Sequence, residues 1–203
     1  MVDKNEVIAF FDSLASGWDA DMVRSEDVIR TILDNAGVRE GSSVLDIACG
    51  TGVLIPDYLS RGASRVVGVD ISPEMIAVAK GKFSDSRVSF ICADAETGFF
   101  GKDFDCIVIY NAFPHFSDPE ALISNLSSML APGGRLTVAH GMSRDDINRH
   151  HGGKARNVSR MLPEAGELAA LFGRYLDVSA AVSDDRMYLV CGTAAANLKT
   201  VEK

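Results

Sequence analysis

Along the first forty residues the apolar positions recur at helical spacing. Val7, Phe10, Phe11 and Leu14 share one face, and Val28, Ile29, Ile32, Leu33 and Ala36 share another, so two amphipathic helices are expected. Gly37 follows the second helix and suits a C-cap. Between them Gly17-Trp18-Asp19 breaks the pattern and carries the only tryptophan of the chain. From Gly41 onward the period changes, and short apolar runs alternate with helical stretches. Residues 44–48, 65–69, 88–92, 105–110 and 135–140 read as strands; residues 52–59, 73–82 and 118–130 read as helices. Ser72 before Pro73 and Asp118 before Pro119 each pair an N-cap residue with a first-turn proline. The stretch Ala131-Pro132-Gly133-Gly134 reads as a turn.

Strands that alternate with helices are joined by right-handed crossovers into a parallel sheet. The run 105–110 is the most apolar, which places it near the sheet centre. Residues 143–151 read as a short helix opened by the pair Ser143 and Asp146 and stopped by Gly152-Gly153, and a further helix covers 163–172. The runs 175–182 and 186–191 are separated only by Ser183-Asp184-Asp185. So short a connection makes a hairpin, and the last strand must run against its neighbour. The expected fold class is α/β: a Rossmann-like three-layer sandwich around a seven-stranded, mostly parallel sheet with an antiparallel last strand.

Composition narrows the partners. With 203 residues the chain suffices for one domain. Its formal charge of −8 argues against a nucleic-acid partner, which needs a basic face. No apolar run approaches the roughly 20 residues that span a bilayer, and the N-terminus lacks a basic stretch followed by an apolar one. No membrane association and a cytoplasmic location are therefore expected. The four cysteines form no CxxC pair and read as buried free thiols.

Three acids mark the carboxyl ends of strands. Val44-Leu45-Asp46-Ile47-Ala48-Cys49-Gly50-Thr51-Gly52 runs from a strand into a glycine turn, where open α/β sheets bind ligands. A dinucleotide fingerprint would need glycine where Ile55 stands. Asp46 would repel a pyrophosphate and would suit a ligand with ammonium and sulfonium charges. Asp70 closes Val66-Val67-Gly68-Val69-Asp70 and can accept both hydroxyls of a ribose. Asp94, in Ala93-Asp94-Ala95, can meet an adenine amino group.

The segments VLDIACGTG, VVGVD, ADAE and IVIYNAF, in this order and spacing, resemble the motifs of class I S-adenosylmethionine-dependent methyltransferases. The likeness covers about residues 40–140, and the hairpin at 175–192 matches the reversed last strand of that family. The resemblance implies S-adenosylmethionine as cofactor. It implies that Asp46, Gly50 and Gly52, with Ala48 of the same loop, line the methionine end, and that Asp70 holds the ribose. It further implies that Ile71 and Met75 pack on the adenine with Asp94 and Ala95 at its edge, and that Asn111 faces the reactive sulfur. FDSLASGWD is similar to the FDxxAxxYD segment of the small-molecule and quinone methyltransferase branch, with Trp18 for the usual tyrosine; that segment closes over the cofactor. A single domain over 1–203 follows: a helical cap (1–40), a cofactor-binding core (41–140), and a lid segment with the C-terminal hairpin (141–203).

The acceptor is expected beside the end of the fourth strand. Residues 111–116 lack the [DN]-P-P-[YF] signature used on amide or nucleobase nitrogen, which lowers those substrates. His115 suits a base or an acceptor-orienting group, and equally a structural histidine. His140, His150 and His151 also follow the fifth strand, and Asp146 shares a helical face with His150. His115, His140 and His150 are the catalytic candidates; no metal site is assigned, because the pair Asp146 and His150 is better read as part of a solvated polar helix with a histidine near its C-terminus, where the dipole favours it. Arg144, Arg149, Lys154, Arg156 and Arg160 form a basic island. As a lid it would attract an anionic acceptor such as a carboxylate; as a solvated loop it would attract nothing. The sequence thus reads as a methyltransferase acting on a small molecule. The alternative is a non-catalytic or regulatory S-adenosylmethionine-binding domain that engages a protein partner through the N-terminal helices. A nicotinamide reductase is disfavoured by Ile55, Asp46 and the reversed strand.

Overall fold

The alternation of apolar runs after Gly41 folds into one seven-stranded sheet. The computed structural model describes residues 2–20, 23–151 and 155–196. In chain order the strands are β1 (Ser43–Ile47), β2 (Arg65–Asp70), β3 (Val88–Cys92), β4 (Phe104–Tyr110), β5 (Leu130–His140), β6 (Asp177–Ser183) and β7 (Tyr188–Thr193). The helices are α1 (Lys4–Leu14), α2 (Glu26–Ala36), α3 (Ile55–Ser60), α4 (Pro73–Lys82), α5 (Pro119–Ser127), α6 (Arg144–His151) and α7 (Ala165–Phe172). Short 3-10 turns lie at Ala15–Gly17, Phe113–His115 and Arg156–Val158. The strand order across the sheet is β3-β2-β1-β4-β5-β7-β6. β1 to β5 run parallel, and β7 runs antiparallel to both β5 and β6. The fold class is the expected one, and the most apolar run, β4, is the central strand.

The strands in the middle of the sheet feed a core on both faces. On one face Ile29 and Leu33 of α2 and Tyr58 of α3 pack with Val44, Val66 and Val108. On the other, Leu122 and Leu126 of α5 and Phe172 of α7 pack with Leu45, Ile107 and Val138. The caps read from sequence form. Gly37 adopts φ 78°, the Ser72 hydroxyl accepts from the Met75 amide, and Asp118 accepts from the Ala121 amide.

The structure departs from the sequence pattern in three places. Helix α3 begins at Ile55 because Gly50 and Gly52 adopt φ 55° and 85°, which a right-handed helix cannot continue. Residues 131–134 lie within β5: Leu130 pairs with Phe104 and Arg135 with Cys106, so the β5 side bulges. Gly134 permits this, since a Cβ there would lie 2.6 Å from the Phe104 carbonyl oxygen. On α1, only Val7 of the four expected apolar residues is buried, and Leu14 is exposed. This helix covers a crevice at the strand ends instead of filling the core.

Gly68 sets how closely β2 approaches its neighbours. A Cβ there would lie 2.8 Å from the Phe90 ring of β3 and 2.9 Å from the Cys49 sulfur. Gly68→Ala should therefore cost about 1–3 kcal/mol by overpacking. Urea unfolding should show a lower midpoint at unchanged slope.

Candidate active site

The strand order reverses between β1 and β4, so the chain leaves these neighbours toward opposite faces: α3 packs on one and α5 on the other. A crevice opens at such a point. Ala48 (φ 54°) and Asn111 (φ 55°) end these two strands in the left-handed region, which residues other than glycine rarely occupy. The crevice widens into a cavity of about 610 Å³, bounded below by the ends of β1 to β4 and above by α1 and Trp18.

Asp46 points into the base of this cavity and is only 3% exposed. Burial pushes its carboxyl up to about 8; the neighbouring Tyr58 hydroxyl opposes the shift and the Asp70 carboxyl adds to it. Asp70 accepts from the amides of Gly50 and Ser72, each at 2.9 Å. It thereby ties the glycine loop to the start of α4. Burial raises its pKa as well, against the pull of those amides. Met75 is buried at the same wall, next to Ile71. At the end of β3, Asp94 and Glu96 both pair with Lys4 of α1, each at 2.5 Å. Glu96 also accepts from the amide of Asp118 (2.9 Å) and from the amide and hydroxyl of Ser117.

The N-terminal segment is thus tied to each acidic strand end. Besides Lys4, Asp12 accepts from the Ser72 hydroxyl at 2.5 Å, and Asp19 accepts from the Thr51 hydroxyl and from Lys82, each at 2.6 Å. Phe11 packs edge-on against both Trp18 (5.7 Å) and His115 (4.9 Å). His115 Nδ1 lies 2.8 Å from the Val158 carbonyl oxygen, and burial lowers the proton affinity of the ring despite that carbonyl.

Most of the expected site residues line this one cavity: Trp18, Asp46, Ala48, Gly50, Asp70, Ile71, Met75, Asp94, Ala95, Asn111 and His115. Gly52, His140 and His150 do not. A Cβ on Gly52 would lie 2.6 Å from the Phe83 ring, so its place is set by packing. His140 is buried in β5 and stacks edge-on against Tyr188 of β7. His150 is exposed at the end of α6. Among the described residues no cluster of His, Cys, Asp or Glu could hold a metal ion. The His151 side chain, Gly152-Gly153 and Lys154 lie outside the described residues. The arginines of the basic island do not line the cavity. Arg144 pairs with Glu164 (2.9 Å) and Arg149 with Asp146 (2.7 Å), while Arg160 donates to the Ser117 carbonyl.

Lys4, Arg24, Glu96, Tyr110 and Phe116 line the cavity without having been singled out from sequence. Glu96 lies inside the ADAE segment, so a signal for it existed. Lys4 carries none, because its partners are 90 residues and more away.

A family model described as a methyltransferase domain matches residues 44–134. The ubiquinone/menaquinone biosynthesis C-methyltransferase of Enterobacter sp. is 32% identical over 183 residues, covering 85% of this chain and 72% of that protein. The malonyl-acyl-carrier-protein O-methyltransferase of Acetivibrio thermocellus is 30% identical over 142 residues, covering 68% and 50%. The chain spans 50%, 61% and 59% of the length of three such relatives. In fold it is similar to a chain of the complex between a Haloferax volcanii methyltransferase activator and its methyltransferase (TM-score 0.77, 22% identity, 91% of this chain and 97% of that one). The N-methyltransferase NodS of Bradyrhizobium japonicum, solved with S-adenosyl-L-homocysteine, gives a TM-score of 0.71 at 18% identity over 95% and 98%. With its cavity at the β1/β4 reversal and its relatives agreeing, the chain belongs to the class I S-adenosylmethionine-dependent methyltransferases.

Proposed function

We propose that this chain binds S-adenosylmethionine in the 610 Å³ cavity and transfers its methyl group to a small molecule held beside it. The buried Asp46 carboxyl carries this reading. It sits at the glycine loop at an electrostatic cost that a ligand ammonium would offset. Asp46, Ala48 and Gly50 would hold the methionine end. Asp70, fixed by two amides, would take the ribose hydroxyls. Ile71 and Met75 would cover the adenine, with Asp94 and Ala95 at its edge. Asn111 and Trp18 would close the sulfur end. Bound there, the sulfonium supplies an electrophilic methyl group and a neutral leaving group. The chain's own contribution is to position the acceptor and exclude water. Phe11 and Trp18 roof the cavity, and Lys4 anchors that roof to Asp94 and Glu96.

A second reading keeps the cavity and the cofactor but gives the chain a regulatory role with a protein partner. The similar structure solved with an activator favours it. Formation of S-adenosylhomocysteine with an acceptor panel separates the two.

The cofactor assignment and the roof are each open to measurement. Calorimetry with S-adenosylhomocysteine should show micromolar binding; no binding would overturn it. A ligand ammonium favours ionised Asp46, whose carboxyl titrates at about 8 in the unliganded protein. Binding at pH 6 must therefore expel a proton, so affinity should rise toward pH 8, by at most about tenfold per pH unit, and then level off. Asp46→Asn should abolish that slope and weaken binding at least about tenfold. The same variant should be more stable without ligand, by about 1–3 kcal/mol at pH 7, because an ionisable group held protonated by burial is gone. Lys4→Met should release the roof. With a partly exposed pair worth about 1 kcal/mol, S-adenosylhomocysteine should dissociate roughly fivefold faster, followed by Trp18 fluorescence.

A further inference from the structure

Lys4 stands in the first turn of α1, where the helix dipole disfavours a cation. Two carboxylates hold it there, since Asp94 and Glu96 each lie 2.5 Å from its Nζ. Desolvation opposes its charge, but these two pairs outweigh it and raise the proton affinity of the amine, so Lys4 keeps all three hydrogens. Glu96 is the anchored member. It is buried and accepts from the amides of Ser117 and Asp118 and from the Ser117 hydroxyl. The Lys4 ammonium belongs to the roof by sequence, yet its position is set by the start of α5.

Asp94 has hydrogen-bonding capacity to spare. Its Oδ1 accepts from the Glu96 amide at 2.9 Å, and its Oδ2 accepts from Lys4. A carboxylate oxygen offers two lone pairs, so each retains one. An ammonium carries three N–H donors. Asp94 and Glu96 take two of them, and among the described residues Lys4 has no third partner. Lys4, Asp94 and Ala95 line the same cavity. Its wall therefore presents an acceptor and a charged donor side by side. Adenine presents the complementary pair on its rim: an amino group that donates, and ring nitrogens on either side of it, N1 and N7, that accept.

Resting on the cofactor reading above, we propose that Lys4 is a specificity residue for the base: while Asp94 accepts from the adenine amino group, the third N–H of Lys4 donates to the ring nitrogen beside it, N1 or N7. The first helix then reads the base as well as covering the cavity. A base with C–H at that ring position leaves the third N–H facing a group that cannot accept, and the roof closes less well on it.

Calorimetry with S-adenosylhomocysteine and its 1-deaza and 7-deaza analogues, each with one ring nitrogen replaced by C–H, tests this. One of the two analogues should bind the wild-type protein about tenfold weaker than S-adenosylhomocysteine. Loss of a purely structural tie weakens all three ligands alike, so the ratio between ligands is the readout. In Lys4→Met, that analogue and S-adenosylhomocysteine should bind within about twofold of each other. Lys4→Arg keeps a charged donor and should retain a ratio of about threefold or more. Wild-type protein that binds both analogues as tightly as S-adenosylhomocysteine, or a tenfold ratio that survives in Lys4→Met, would overturn the proposal. Failure of the cofactor reading looks different: the wild-type protein then binds none of the three ligands.

Discussion

The site depends on one constraint of chain routing. β1 and β4 are hydrogen-bonded neighbours, yet their following segments must cover opposite faces of the sheet. The two chains part at their carboxyl ends, and each does so through a residue in the left-handed region, Ala48 and Asn111. The conformational cost at these residues is of order 1 kcal/mol each and is spread over a well-packed sheet. In return, backbone and side chains from four strands converge on one space. Asp70 then fixes the shape of that space, because its carboxylate holds both Gly50 and Ser72. Without this pair of bonds the glycine loop and the start of α4 would have no common anchor.

Stability and binding pull in opposite directions at the base of the cavity. Asp46 and Asp70 are both nearly inaccessible, and burial raises the proton affinity of each. The unliganded fold carries that electrostatic cost, and a cationic ligand bound beside them would relieve it. Preorganisation of this kind places part of the binding free energy in the protein before the ligand arrives. The acids at the end of β3 behave differently. Asp94 and Glu96 are already compensated by Lys4, and Glu96 sits below the usual carboxylate range because Lys4, the Asp118 amide and the Ser117 hydroxyl outweigh its burial.

Much of the fold was legible because it is written in local pattern. Strand runs, proline-led helix starts and the Gly37 cap all follow from neighbours a few residues apart, and they appear where expected. The strand-end acids were legible for the same reason. What escaped was non-local. The bulge at 131–134 follows from pairing with Phe104 and Cys106, which no residue in that stretch announces. The histidines looked like a cluster because they follow adjacent strands. Side-chain direction then separates them: His115 lines the cavity, His140 turns into the β5–β7 core and His150 faces solvent. The arginines of the 144–160 segment looked like an anion trap, yet Arg144 is paired with Glu164, just beyond the segment, and Arg149 with Asp146 on its own helix.

The first helix shows how the same hydrophobic pattern can serve a different end. Val7, Phe10 and Phe11 have the spacing of a core face, yet α1 packs only lightly, with Val2, Val158 and Ile71 as its apolar neighbours. Its polar ties make up the difference, and Lys4, Asp12 and the following Asp19 land on three separate strand-end loops. A helix held this way is less stable than one buried in the core, since exposed polar ties are individually weak. That is the property a roof needs. Opening the cavity beneath it disturbs few apolar contacts. Because the ties end on the loops around the cavity, anything that fills that space and braces those loops also favours the closed roof.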